Sequence, residues 1–584
     1  VFSIRSTSAI SFVLFVLVTI IGLLLPTVVV GAPLPNATAV DRAEDLDEKI
    51  RLQDQINSEL EEQRRRSQAV EVIDVPKTPL PVIQQGSRFF IERIDIDAGA
   101  FADYALDPAD VLARYEGREL GAEEIFSVIR DLSNLYAAQG YSTTSFSVIP
   151  ASLKQGVLKL QVNWGLVEGW RINGRPPATL KERMMVSQAM PGIVGQPLNI
   201  RDIDQAIENL NNGAKLAKVE VMPSTTLGYS LLNINTASNP QPSTSLGMDN
   251  SGLNSPSNGR YRYTLSTAIS DLLLGNDTLS FNGSGRRFKD DEHNSEYSAG
   301  VSYSVPLGYS LISLRYNDSY NSSLLSGIYG DYQSKGDSQT YALNLSRVMW
   351  RDAQSKFTVY SELERKESAN YLDGSYVQAN SKRYDSFTLG LRNVAPLWGG
   401  VLYSDIGLST GLSGQGGAYG AFDGEGKPVN YKKITFNEAW SYRFQIQERD
   451  LEYAVRIGGQ VAQYSALSSF KQGLGDEYTV RGFKGPALWG DRAVFVSNTL
   501  NVPIRLASST FVPFLGLDAG YVNEIDESPG YAEDASIAGV AAGLNYSDAH
   551  FRAGITLARP LLTPDFIKHS TDPYIAYINI GFSI

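Results

Sequence analysis

The sequence predicts a small α+β front end followed by an all-β transmembrane barrel of about 16 antiparallel strands. Three observations lead there. A greasy N-terminal segment reads as a secretory signal, and no later apolar run is long enough to cross a bilayer as a helix. Residues 88–240 carry two successive β-α-α-β-β patterns. From about Ser243 to Ile584, alternating strands take over, with polar side chains on the face that a soluble barrel would keep dry.

With 584 residues the chain exceeds one compact domain, and 43% hydrophobic with 20% charged residues argues against disorder throughout. There is no cysteine, which excludes disulfide frameworks and thiolate metal sites. The three histidines, His293, His550 and His569, stand far apart without ligand spacing, so neither a metal site nor a histidine-based triad is expected. No Walker A loop is present. The chain is therefore expected to be no enzyme and to hold no cofactor. A net charge of −12 opposes nucleic-acid binding.

At the N-terminus, Arg5 precedes the apolar run Ile10 to Leu25, then Pro26 and small residues. That is the order of a signal peptide over 1–39, with Ala37-Thr38-Ala39 and Val30-Gly31-Ala32 as cleavage candidates. A retained anchor is the alternative, because apolar character persists to about Gly31, but no charged stop-transfer cluster follows directly. Residues 40–66 are strong helix formers with opposite charges at helical spacing, such as Glu48 with Arg51 and Glu62 with Arg66. Apolar positions are few: Leu46, Ile50, Leu52, Ile56 and Leu60. Such a helix suits water or a wet channel, and a solvated spacer is the plainer alternative. Residues 67–87, with Pro76, Pro79, Pro81 and Gly86, read as a linker.

The unit at 88–164 opens on the strand-like FFIERIDID, continues through helices at 108–115 and 122–139, and closes on strands YSTTSFSVIP and GVLKLQVNW. Gly140 is placed to stop the second helix. The pattern returns over 165–240 as a strand EGWRINGR, helices at 180–190 and 200–211, and strands KLAKVEVMPS and YSLLNINTAS. Each unit is a small sheet with helices on one face. The rest, 241–584, alternates. Tyr261, Tyr263, Leu265 and Ile269 oppose Arg262, Thr264 and Ser266; Ile312, Leu314 and Tyr316 oppose Ser313, Arg315 and Asn317. Lipid outside and a wet lumen inside demand this polarity, and closure follows because lipid cannot satisfy an open sheet edge.

Several motifs resemble those of the TpsB transporters of two-partner secretion, the ShlB/FhaC/HecB group within the BamA superfamily. Gly140-Tyr141-Ser142-Thr143-Thr144, Ile149-Pro150 and Gly156-Val157-Leu158-Lys159-Leu160 resemble the first of that family's POTRA domains. Asp249-Asn250-Ser251-Gly252, followed by Gly259-Arg260-Tyr261-Arg262, resembles the entry to its barrel, and Leu274-Gly275-Asn276-Asp277 its next hairpin. Val480-Arg481-Gly482-Phe483 resembles the VRG(Y/F) tip of the long sixth extracellular loop. Order and coverage make the set specific where a lone VRGF would be weak.

The resemblance implies an outer-membrane barrel in contact with lipid, POTRA domains in the periplasm, and export of an unfolded secreted partner such as a haemolysin or adhesin. It implies that 40–66 plugs the lumen at rest, that the POTRA domains take the partner by strand addition, and that the barrel acts as a single chain. It also implies that Arg481 pairs with an acid on the inner wall, here Asp518, to hold the loop for transport. An insertase of the BamA type and a passive porin are the rivals. The count of two POTRA units behind a polar helix argues against the first, and the presence of POTRA units against the second. The chain departs from many outer-membrane barrels in ending on Ile584 rather than Phe.

Overall fold

The computed structural model describes residues 39–69, 88–149, 155–211, 217–236, 242–252, 259–288, 292–327, 330–377, 381–412, 432–463, 470–525 and 534–584. The expected signal up to residue 38, the expected linker from 70 to 87 and Pro150 lie outside the described residues.

The polar segment forms one helix, Ala39–Ala69. It outruns the expected 40–66 because Ser67, Gln68 and Ala69 contain no breaker. Its 31 residues make a rod of about 46 Å, enough to traverse a bilayer-spanning barrel.

The first α+β unit centres on Val157–Asn163, parallel to Arg93–Asp97 and antiparallel to Ser145–Ile149. Val128, Leu132 and Tyr136, at i, i+4 and i+8 of the helix Ala122–Ala138, bury one stripe against Ile94, Phe146, Leu158 and Leu160. FFIERIDID does not form one strand. It splits at Glu92, and Phe89–Ile91 pairs instead with an unforeseen strand Arg118–Leu120. The helix expected over 108–115 is reduced to the single turn Ala109–Leu112. The second unit repeats the plan: Tyr229–Thr236 runs parallel to Leu166–Ile172 and antiparallel to Ala217–Pro223, beneath helices Leu180–Ala189 and Ile200–Leu210.

Gly140 joins the two units. At φ +98 it ends the helix, and a side chain there would overlap the Asn199 amide, its Cβ falling 2.1 Å from Oδ1. Asn199 in turn caps the helix Ile200–Leu210, and Ile200 N–H donates to the Gly140 carbonyl at 3.0 Å.

The C-terminal part is a closed antiparallel barrel. Two of its segments, Ser375–Tyr376 and Ile504–Leu506, are short pieces at hairpin ends, and without them sixteen staves remain. They run from the first, Ser243–Asp249, to the sixteenth, Ile575–Ser583, which pair and close the ring. On the outer surface Leu265, Leu314, Leu408 and Leu557 are 50%, 53%, 53% and 63% exposed, among many such residues on successive strands. No water-soluble barrel would present so broad an apolar band. The inward positions between them hold Arg262, Ser298, Ser319, Ser338, Asp405 and Asp518, all buried.

Candidate functional site

The second α+β unit sits on three turns at one end of the barrel. Asn276, between the second strand (Tyr261–Ser270) and the third (Thr278–Arg287), donates to the Met185 carbonyl at 2.7 Å. Beside it Gly275 has φ +106, and a Cβ would stand 3.0 Å from the Lys181 carbonyl. The Asp277 carboxylate accepts from the N–H groups of Leu273, Leu274 and Gly275, which shapes the turn. Leu274-Gly275-Asn276-Asp277 is thus a docking turn, a role that its sequence did not disclose. At the next turn the Tyr309 hydroxyl donates to Asp202 at 2.6 Å and Asn209 to the Gly308 carbonyl at 2.6 Å. At the third, Glu208 pairs with Arg351 and, at 3.3 Å, with Lys356. Within the docked helix, Glu182 is held down to about 2 by Arg175 and by the N–H groups of Thr179 and Ala178. Burial pushes Asp202 up, against the lowering effect of the Tyr309 hydroxyl.

The loop between the eleventh strand (Arg449–Ala462) and the twelfth (Arg492–Asn501) turns back into the lumen. Its tip carries Val480, Arg481, Gly482 and Phe483, all buried. Arg481 Nε donates to Asp518 Oδ2 and Nη2 to Oδ1, both at 2.6 Å, and the Arg481 backbone N–H adds a third bond to Oδ2 at 3.0 Å. Nη2 also reaches Ser497, Thr499 and the Asn498 carbonyl, and Ser497 donates to Asp518 at 2.8 Å. A fully enclosed carboxylate is thereby matched donor for acceptor. Glycines make the room: a Cβ on Gly516 would overlap the guanidinium and one on Gly539 the Arg481 carbonyl. Gly482, at φ +119, lies against the Arg559–Pro560 backbone and donates to the Tyr577 hydroxyl. Val480 and Phe483 sink into a cluster with Leu474, Phe495, Val522 and Ile537.

The helix Ala39–Ala69 lies beside this tip, along the lumen. Near its start Glu44 takes Ser338 and Lys366, and Asp47 takes Arg262 at 2.9 Å. Lys49, buried, pairs with Asp45 at 2.7 Å and with Asp476 of the long loop at 2.5 Å. Midway, Gln53 accepts from Arg456, and the Gln55 amide meets Arg392 and Tyr403. Towards its end Glu59 pairs with Lys356 at 2.6 Å and Arg64 with Glu452 at 2.9 Å. The only apolar cluster between the helix and the wall among the described residues joins Ile56 and Leu60 to Val394, Tyr403 and Ala439. Cavities of about 700 Å³ flank the rod.

The barrel entry residues do two things. Asp249 pairs with Arg262 at 2.9 Å, which places Arg262 for Asp47. Asn250 bridges the closing seam, donating to the Ala576 carbonyl and accepting from the Ile578 N–H, both at 2.9 Å. The seam itself has five register pairs, against eighteen between the fifth and sixth strands. Gly252 follows at the turn toward Gly259 and Arg260.

The profile described as haemolysin secretion/activation protein ShlB/FhaC/HecB matches residues 228–546, more than half of the chain. The chain belongs to this family. Profiles for a ShlB-type POTRA domain and a further POTRA domain match residues 89–165 and 166–223. The outer membrane transporter CdiB of Dickeya dadantii is 26% identical over 527 residues, 88% of this chain and 90% of its own length. A CdiB of Escherichia coli is 26% identical over 534 residues, 88% and 87% of the two chains. Among solved structures, CdiB from Escherichia coli shares the fold at TM-score 0.81 and 23% identity, covering 94% of this chain and all of that one. CdiB from Acinetobacter baumannii follows at 0.73 and 21%, with the same coverage. The protein is an outer-membrane transporter of the ShlB type, with its POTRA domains in the periplasm. The turns that receive the second POTRA domain therefore mark the periplasmic end, and the long loop enters the lumen from outside.

Proposed function

We propose that this transporter captures one unfolded partner protein in the periplasm and exports it through its own barrel, with the helix Ala39–Ala69 as a removable plug and Arg481–Asp518 as the fixed point of the sixth loop. One observation carries the reading: the lumen holds a polar helix whose contacts with the wall and the long loop are mostly exchangeable ion pairs. Water in the pore solvates both faces of such contacts once they part, so leaving costs far less than it would for an apolar rod. The partner enters as an extended chain and pairs with an open sheet edge of a POTRA domain, Arg93–Asp97 and Ser145–Ile149 being edges in the first and Leu166–Ile172 and Ala217–Pro223 in the second. Transport uses no nucleotide chemistry of this chain, and folding of the partner outside supplies the direction.

An insertase reading draws on the short seam, which is the natural place for a barrel to part sideways. The two are separated by single-channel recording of the intact chain and of a form lacking residues 39–69. Small flickering currents that become large and steady on deletion support a plugged pore. No current in either form sinks the pore reading and moves weight to the seam.

A further inference from the structure

Lys356 lies where three parts of the molecule meet. It opens the seventh barrel strand, Lys356–Leu372, at the periplasmic end and is 5% exposed. Its ammonium stands 2.6 Å from Glu59 and 3.6 Å from Glu62, both on the lumen helix, and 3.3 Å from Glu208 on the last helix of the second POTRA domain. Gln63 of the lumen helix donates to the Gln354 carbonyl of the same turn. Glu208 also pairs with the buried Arg351, whose Nε and Nη1 find no hydrogen-bond partner among the described residues.

Three carboxylates on one ammonium do not simply add. They share its field and repel one another at close range in a partly dry site. With the second POTRA domain seated, Glu208 takes part of the Lys356 charge and occupies Arg351. With Glu208 withdrawn, Lys356 is left to Glu59 and Glu62 alone, and the balance on its ammonium turns from three carboxylates to two. The lumen helix is then held harder, not more loosely.

We propose that Glu208 competes with the lumen helix for Lys356, so that seating of the second POTRA domain loosens the periplasmic end of the plug and withdrawal of that domain tightens it. This rests on the plug reading above. The pairing makes opening conditional on a POTRA domain docked under the pore, where an arriving partner would be delivered. A barrel whose POTRA domain had swung away would stay shut. Lys356 and Glu208 are positioning residues here, and neither needs to touch the partner.

The test is single-channel recording of the full chain and of four variants: residues 39–69 deleted, Glu208→Gln, Lys356→Gln and Tyr309→Phe. The last removes the Asp202 contact of the same POTRA domain without changing any charge. Heat-modifiable migration of each variant confirms a folded barrel before recording. The proposal expects openings about five-fold rarer in Glu208→Gln, the response to a modest change in the closed–open balance. It expects them more frequent in Lys356→Gln, and much less affected in Tyr309→Phe than in Glu208→Gln, because Glu208 then keeps its charge and its place at Lys356. If deletion of the helix leaves the current as it was, the plug reading fails and this inference with it. If deletion opens the pore while Glu208→Gln opens as often as the parent or more often, only this inference is overturned. It is equally overturned if Lys356→Gln does not raise opening, or if Tyr309→Phe lowers it as far as Glu208→Gln although Glu208 keeps its charge, since that charge would then add nothing to an ordinary docking contact.

Discussion

The tip of the sixth loop and the helix Ala39–Ala69 both sit inside the barrel, but they are attached by different chemistry. The tip is held at one point. Asp518 is wholly enclosed, its oxygens are saturated by Arg481 and Ser497, and apolar side chains cover the pair. The helix is held along its length by ion pairs and amide contacts that are individually modest, around one small apolar cluster at Ile56 and Leu60. A buried matched pair is costly to open because each half would be left as an unpaired charge. The pairs of the helix, some as enclosed as Lys49–Asp476, are spread along its length, so they open one after another as pore water reaches each. On the proposed function, the difference separates a part that stays from a part that leaves.

That contrast is open to attack at several points. Arg481→Ala should cost about 3–5 kcal/mol of local stability by stranding Asp518, seen as early proteolytic nicking of the sixth loop in denaturant. Asp518→Ala should match it, and the double variant should lose less than the sum. Gly482→Ala should cost about 2–3 kcal/mol at the tip, since φ +119 and a Cβ 2.9 Å from the Arg559 backbone both resist a side chain. Its readout is the same nicking assay. Leu60→Ala should weaken the helix by about 2 kcal/mol and raise channel opening while leaving resistance of the tip to nicking unchanged. Arg64→Gln, which breaks a part-exposed pair with Glu452, should change opening by less than about 1 kcal/mol. An Arg64→Gln effect as large as that of Arg481→Ala would erase the distinction.

The sequence made the barrel legible because lipid outside and water inside force period-two alternation, and Leu265, Leu314 and Leu557 do face outward as that alternation required. The POTRA helices were legible through 3.6-residue spacing, as in Val128, Leu132 and Tyr136. What failed was local. Nothing in the composition of FFIERIDID marks the break at Glu92, which is imposed by the partner strand Arg118–Leu120. At the lumen, Arg481 and Asp518 were named through resemblance and the structure brings them together. No sequence pattern joins Lys356 to Glu59, Glu62 and Glu208, because what brings them together is a tertiary meeting of three segments. Asn250 carried a signal as part of a motif, but its place at the seam could be read only from barrel closure.

The most direct test is a pair of distances measured by pulsed electron resonance, which the absence of native cysteine makes clean. One label goes on Gln447→Cys in a periplasmic turn, and its partner goes either on Asn57→Cys in the lumen helix or on Pro486→Cys near the loop tip. The account predicts two populations for the helix pair, one short and one long, and a single narrow distance for the tip pair. A single narrow distance for the helix pair, or a broad one for the tip pair, would contradict it.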